Sequence, residues 1–264
     1  MDMNGWDGGM ALGGLAAATA IFWLAGTVKG VVGLGLPTVA MALLATLMAP
    51  AQAAALLIVP SLITNVWQMR PWPAVGALVR RLGGMQCGIC VGTWLCAWWL
   101  GAPAGAWSRL ALGVALAVYG AWGLAGARWA VAVPLRVQGW LGPVVGMATG
   151  AIAAATGVFV VPAVPYLQAL GLQRDALVQA MGLSFTVSTL ALAVGLAFNA
   201  SYPAATLGLS GLMLLPALLG MACGQRLRQR MSPLWFRRCL MLGLLALGVG
   251  MVVDVLAWHG FASR

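Results

Sequence analysis

The chain is a succession of long apolar runs that short polar or charged segments separate. A helix needs about 20 residues to cross the hydrocarbon core of a bilayer. Two runs, 31–48 and 157–171, are short, so we expect half-helices or parts of hairpins there. The pattern predicts an all-α polytopic membrane protein with about 8–10 membrane segments. The ten apolar runs are 10–28, 31–48, 52–69, 75–100, 108–127, 139–156, 157–171, 176–198, 204–225 and 236–258.

Glycine, proline and threonine interrupt the apolar sequence at two places. The first break, residues 26–37, reads GTVKGVVGLGLP and includes Lys29, the only lysine of the chain. The second break, residues 146–162, reads GMATGAIAAATGVFVVP. Glycine loosens a helix and proline ends one. Paired interruptions in the two halves of a membrane protein are typical of the substrate site of a secondary transporter, so we expect the function to lie at these breaks.

The two halves of the chain also match each other. The clearest match is the Trp-x-Arg sequence that starts the last apolar run of each half. Matching residues are Trp107 and Trp235, Arg109 and Arg237, Gly26 and Gly146, and Gly30 and Gly150. We interpret the match as an internal duplication. The predicted boundaries are a first transmembrane repeat at 1–128, a cytoplasmic linker at 129–138 and a second transmembrane repeat at 139–264.

The composition agrees with a membrane protein. Of the 264 residues, 62% are hydrophobic and 7% are charged, which leaves too little polar surface to cover a soluble domain. The net charge of +10 does not indicate a nucleic-acid partner, because the basic residues are scattered singly or in short clusters between the apolar runs.

The basic residues predict an orientation in the membrane. Cytoplasmic loops of membrane proteins carry an excess of lysine and arginine. When the loop at 226–238 is placed in the cytoplasm, twelve of the 14 basic residues lie on that side, with Arg109 and Arg264 as the exceptions. Each half then makes an odd number of crossings, so we predict two inverted helical repeats and both termini outside.

The breaks and the runs after them carry groups that suit an anion. The N-terminus of a half-helix presents bare N–H groups and a partial positive charge. We expect half-helices to begin near 34–38 and 156–160, and hydroxyl and amide side chains recur at spacings of three and four in the runs that follow. The predicted substrate-binding residues are Lys29, Gly33, Gly35, Thr38, Ser61, Thr64, Asn65, Gly150, Thr156, Gly157, Ser184 and Ser188.

Several of these residues have a second interpretation. The glycine pairs at 26 and 30 and at 146 and 150 have the spacing of close helix packing, and we expect both packing and a site nearby. Lys29 either extends toward the cytoplasm at the end of the first helix or contacts or attracts the anion.

Acidic and catalytic groups are scarce in the sequence. Asp254, near the outer end of the last run, is the one candidate for proton coupling. Cys87 and Cys90 form a C-x-x-C sequence within an apolar run, where helix packing explains them better than a metal or redox site. The motifs of hydrolases and ATPases do not occur, so we expect no enzyme activity, no cofactor and no metal.

The residues at both breaks resemble a known family. GTVKGVVGLGLP with Pro50–Ala53, and GMATGAIAAATGVFVVP followed by GLQRDAL, look like the TauE/SafE sulfite exporter family, also called TSUP. The resemblance implies a plasma-membrane protein of duplicated helical halves that moves small sulfur-containing anions such as sulfite, thiosulfate or an organosulfonate. Leu36–Pro37 and Ala153–Ala155 stand where glycine is more common in that family, which bears on the substrate more than on the fold.

We therefore expect a secondary transporter of a small sulfur-containing anion that works by alternating access. The expected partners are the anion and the lipid bilayer, with no nucleic acid, and assembly into a homo-oligomer is left open. Two alternatives also remain open. One is a passive anion channel, and the other is a membrane subunit or anchor of a larger complex.

Overall fold

The protein is a bundle of α-helices in the residues that the structure, a computed structural model, describes: 8–33, 35–125, 132–199, 204–229 and 232–262. Each of the ten predicted apolar runs corresponds to a helix, and a short 3-10 helix covers Trp72–Ala74. The helices are α1 (Gly8–Val32), α2 (Leu36–Leu44), α3 (Pro50–Gln68), α4 (Val75–Leu100), α5 (Gly105–Ala125), α6 (Leu135–Thr156), α7 (Ala163–Ala169), α8 (Arg174–Phe198), α9 (Ala204–Arg228) and α10 (Pro233–Ala262).

The helix lengths confirm an all-α membrane protein. Within the described residues, seven helices are long and apolar enough to cross a membrane, namely α1, α3, α5, α6, α8, α9 and α10. Helix α4 has 26 residues and matches them in length. Helices α2 and α7 have 9 and 7 residues, so the two short apolar runs form half-helices as expected.

The outer surface of the bundle suits a lipid environment. Large apolar side chains face outward along the helices, and Trp98, Trp99 and Phe198 near the helix ends are about four-fifths exposed. Tryptophan side chains at helix ends are typical of the membrane–water interface. A soluble monomer rarely exposes so much apolar surface.

Both breaks are shorter than the sequence predicts. Helix α1 continues through Gly26, Lys29 and Gly30 to Val32, and the first break covers only 33–35. Gly33 and Gly35 have φ angles of 79° and 104°, a left-handed conformation that glycine adopts without strain. The half-helix α2 then begins at Leu36, within the predicted range.

The second break has a similar design. Helix α6 continues through Gly146 and Gly150 to Thr156, and Gly157, with a φ of 72°, ends it by donating its N–H to the Ala153 carbonyl at 2.8 Å. The half-helix α7 begins at Ala163, so the predicted start at 156–160 was wrong by a few residues. Helix α6 also begins at Leu135, inside the predicted linker at 129–138.

The helical glycines explain why the breaks are short. A Cβ atom at Gly26 would overlap the Ala217 carbonyl oxygen of α9, and one at Gly220 of α9 would overlap the Trp23 carbonyl oxygen of α1. Gly146 of α6 lies in the same way against the Met85 carbonyl of α4. These glycines therefore let two helix backbones touch, which is the packing interpretation of the small-residue spacing.

The helix pairs are arranged alike in the two halves. Helix α1 packs mainly on α9, and α6 packs mainly on α4. Helix α3 packs on α8, and α5 packs on α10. If α1–α5 and α6–α10 are the two repeats, α1 corresponds to α6, α3 to α8, α4 to α9 and α5 to α10. Exchange of corresponding helices then turns the α1–α9 pair into the α6–α4 pair and leaves the α3–α8 and α5–α10 pairs as they are. The packing thus suits a duplication, while the repeat boundaries and the inverted orientation stay predictions.

Candidate functional site

The only lysine of the chain is buried inside the bundle. Lys29 lies one turn before the end of α1, and its side chain is 4% exposed. Its ammonium nitrogen donates hydrogen bonds to Thr64 Oγ1, at 3.0 Å, and to Asn65 Oδ1. The interpretation of Lys29 as a side chain that extends into the cytoplasm was therefore wrong, because its polar partners lie on α3 within the protein.

Helix α3 presents these partners from its polar face. Ser61, Thr64 and Asn65 are fully buried, and their spacing of three and four places them on one side of the helix. The Thr64 hydroxyl donates to the Pro60 carbonyl at 2.6 Å. A hydroxyl has one O–H donor and two acceptor lone pairs, so Thr64 Oγ1 can donate to this carbonyl and still accept the hydrogen bond from Lys29.

Several donors in this cluster have no acceptor. The Asn65 oxygen accepts the lysine hydrogen bond, and its amide nitrogen has no partner among the described residues. The hydroxyl of Ser61, on the same face of α3, is buried and likewise unpartnered in the described part of the chain. The same holds for the hydroxyl of Thr38 in the first turn of α2, a helix that packs on α1 and α3. An ammonium has three donors, of which Lys29 uses two. Unused donors therefore dominate the cluster, and an anion supplies only acceptors.

The cluster also lacks a negative charge to balance the lysine. The described acidic side chains are Asp175 and Asp254, which are both exposed, whereas the hydrogen-bond partners of Lys29 are neutral. A buried charge without a counter-charge is costly. A bound anion would provide the missing charge.

A second polar cluster joins α4 to α8. The Gln86 amide donates to Ser184 Oγ at 2.9 Å. Gln86 Oε1, Thr93 Oγ1 and Ser188 Oγ are buried, and no partner for them lies in the described residues. Ser184 and Ser188 are among the residues predicted from the sequence, whereas Gln86 and Thr93 are not. The signal for Gln86 and Thr93 in the sequence is two polar side chains two turns apart in an apolar run.

Helices α3 and α8 bring the two clusters side by side. Gly182 of α8 lies against Asn65 and Met69, and the Gln68 amide donates to the Val178 carbonyl at 3.1 Å. We name Lys29, Ser61, Thr64 and Asn65 the lysine cluster, and Gln86, Thr93, Ser184 and Ser188 the serine cluster. The contact between α3 and α8 therefore lies between the lysine cluster and the serine cluster.

The remaining predicted residues lie at the breaks or in helix contacts. Thr156 donates to the Ile152 carbonyl at 2.6 Å and accepts from the Val158 N–H at 3.1 Å, so its hydroxyl already has partners. Gly157 lies against Met41 of α2, which joins the second break to the half-helix after the first break. Gly150 packs against Ile89 and Thr93 of α4.

Gly33, Gly35 and Asp254 complete the predicted set. Gly33 and Gly35 form the turn between α1 and α2 and so set the direction of the half-helix. Asp254 is exposed and lies far along α10, beside Arg109 and apart from the lysine cluster. The structure thus brings together Lys29, Thr64 and Asn65, with Ser61 on the same face of α3.

Comparison with known proteins gives one match. A family model described as sulfite exporter TauE/SafE matches residues 18–251, a range that includes both breaks and both polar clusters. Neither a curated protein nor a solved structure matches the chain.

Proposed function

The chain belongs to the TauE/SafE sulfite exporter family, membrane transporters of sulfur anions and not enzymes, and from that premise we propose that it carries a small sulfur oxyanion or organosulfonate across the plasma membrane by alternating access. The observation that supports a site at Lys29 most strongly is its burial among neutral partners. A small anion would balance the charge of this ammonium group.

The anion binds where the unused donors converge. The third N–H of Lys29, the amide of Asn65 and the hydroxyl of Ser61 replace the water molecules around the oxygens of a sulfite, thiosulfate or sulfonate group. One ammonium balances one negative charge, so the site favours binding a single charged group at a time. Thr38 of α2 adds a further hydroxyl from the half-helix side.

The arrangement of the two halves supports alternating access. The cluster is built from α1 and α3 of the first half, and α8 of the second half packs directly against α3 beside Asn65. A rocking motion of one half against the other changes which side of this contact is open. The basic residues support a multi-pass orientation with the 226–238 loop in the cytoplasm and both termini outside.

Uptake into proteoliposomes tests this function. Purified protein is assayed with labelled sulfite, thiosulfate, sulfoacetate and chloride, with and without a pH gradient. We expect saturable flux of a sulfur anion that a gradient drives uphill. Because a hydrogen bond to a charged group is worth about 1.5–3 kcal/mol, Lys29→Gln should raise KM by roughly 10- to 100-fold.

Arg238→Gln is the matched control, because this substitution also removes one positive charge. Arg238 is exposed and follows Arg237 in α10. Flux that rises linearly with anion concentration and never runs uphill would indicate a passive channel. Absence of flux for every anion, from protein that elutes as a single folded species, would favour a membrane subunit of a larger complex and refute the proposal.

A further inference from the structure

Two cavities lie at opposite ends of α10. The first, of about 280 Å³, includes Arg237 and Met241 near the start of that helix, together with Arg228 at the end of α9. The second, of about 610 Å³, includes Met251 and Asp254 near the other end of α10. At about 1.5 Å per residue, Arg237 and Asp254 are about 25 Å apart along the helix. The cavities therefore open toward opposite faces of the membrane.

The first cavity, which we name the arginine cavity, adjoins the lysine cluster. Val32, three residues after Lys29 in α1, forms part of its wall. Val178 and Met181 of α8 also line it, and the residue after Met181, Gly182, is the one that packs on Asn65. The arginine cavity thus adjoins the end of α1 that carries Lys29 and the part of α8 that packs on Asn65.

The charges of the two cavities differ. The arginine cavity has Arg228 and Arg237 in its wall and no acidic side chain among the described residues that line it. The second cavity has Arg109, the match of Arg237 in the first half, but Asp254 in the same wall offsets that charge. The net charge of the lining is therefore +2 in the arginine cavity and zero in the second cavity.

We propose that the arginine cavity is a binding site that collects sulfonate and sulfur oxyanions from the face that the basic residues predict to be cytoplasmic, and that the second cavity does not select for anions. A guanidinium group pairs well with the oxygens of an oxyanion. A cleft lined by charges of one sign and walled by apolar residues concentrates ions of the opposite sign. The role in transport rests on the proposed function, but the charge preference of the cavity does not.

Charged thiol reagents measure the charge preference directly. Gln168, in the wall of the arginine cavity, is replaced by cysteine in a full-length variant whose five native cysteines are replaced by serine. The variant is reacted with an anionic sulfonatoethyl and a cationic trimethylammonioethyl methanethiosulfonate. Each rate is divided by the rate with 2-mercaptoethanol to remove the intrinsic difference between the reagents. We expect the anionic reagent to be preferred.

Removal of one arginine gives the size of the effect. A unit positive charge about 6 Å from a singly charged reagent in water raises the rate of the anionic reagent by about threefold and lowers that of the cationic reagent by about threefold. Arg237→Gln should therefore lower the ratio of the anionic rate to the cationic rate by about tenfold. Arg238→Gln, the exposed neighbour, should leave the ratio unchanged. Thr46→Cys, in the second cavity, should give a ratio near unity. If Gln168→Cys does not fold, Leu177→Cys reports on the same wall.

The sidedness of transport provides a separate readout. In proteoliposomes of known orientation, Arg237→Gln should raise the KM for anion supplied from the arginine side by about threefold or more, and leave the KM from the other side unchanged. A rate ratio near unity at Gln168→Cys, or one that Arg237→Gln does not change, would overturn the proposal even if the wild type transports anions. A clear ratio without any anion flux would retain the cavity and reject the transport function.

Discussion

Apolar replacement of both Lys29 and Asn65 should stabilise the protein while it abolishes anion binding. Lys29 is 4% exposed, and the acceptors of its ammonium group on Thr64 and Asn65 are neutral. Burial of an ammonium costs several kcal/mol, and neutral hydrogen-bond acceptors without a counter-charge offset only a part of that cost. Without an anion, the proposed site should therefore lower the stability of the protein.

The magnitude follows from the partners that each variant leaves behind. Replacement of buried charged groups by apolar residues of similar size is neutral or stabilising by about 1–4 kcal/mol, and we expect that range for Lys29→Met with Asn65→Leu. Thr64 still donates to the Pro60 carbonyl and loses little. Lys29→Met alone leaves the Asn65 oxygen unpaired, which costs about 1–3 kcal/mol, so the single variant should be less stable than the double variant.

Unfolding in detergent measures both effects. The midpoint is followed by circular dichroism in a gluconate buffer, so that chloride does not occupy the site, with and without thiosulfate. At 100 times its Kd, a ligand stabilises a protein by about 2.7 kcal/mol, which we expect for the wild type and for Arg238→Met but not for the double variant. The reasoning is refuted if the double variant is less stable than the wild type, or if thiosulfate stabilises it equally.

Three further substitutions test the fold around the site. Gly220→Ala should destabilise the protein by about 1–3 kcal/mol in thermal unfolding, because its Cβ would overlap the α1 backbone, whereas Gly208→Ala, which meets open space, should not. Gly35→Ala should cost about 1–3 kcal/mol, since its φ of 104° is strained for a residue with a Cβ, and Gly243→Ala should be neutral by the same assay. Thr156→Val should lower the unfolding midpoint but leave the KM for the anion unchanged, because the Thr156 hydroxyl already has backbone partners; a selective change in KM would instead place it in the site.

The helices could be predicted from the sequence because the bilayer imposes them locally. A membrane-spanning segment must be apolar and about 20 residues long, and it satisfies its backbone only as a helix or a closed barrel. Each of the ten apolar runs is accordingly a helix, and the half-helix α2 begins where it was predicted.

The extent of the breaks depends on contacts that the sequence does not display. Gly26 and Gly30 look like residues that interrupt a helix, yet they remain helical because α9 packs against them, about 190 residues further along the chain. The sequence shows the same residue, glycine, whether it ends a helix or lets a neighbouring helix pack closely. At the two breaks, Gly33 and Gly157, with their positive φ angles, follow the ends of α1 and α6, and Gly35 precedes α2.

The residue types of the candidate site could be predicted from the sequence, but the contacts between them could not. The polar spacing of Ser61, Thr64 and Asn65 indicated one face of α3, and a lysine within an apolar run indicated function. Which way Lys29 points depends on the packing of α1 near α3, which is a tertiary contact. For the same reason Gln86 and Thr93 were missed, since Gln86 gains its importance from its hydrogen bond to Ser184 of α8, and Thr93 from its burial in the bundle.

Calorimetric titration of thiosulfate into the purified protein tests the central claim most directly. In chloride-free detergent buffer, the wild type and Arg238→Gln should bind the anion saturably, while Lys29→Gln should bind it roughly 10- to 100-fold more weakly, as the loss of a charged hydrogen-bond donor requires. Equal binding by the wild type and Lys29→Gln, with both proteins folded, would contradict the assignment of the buried lysine as the anion site.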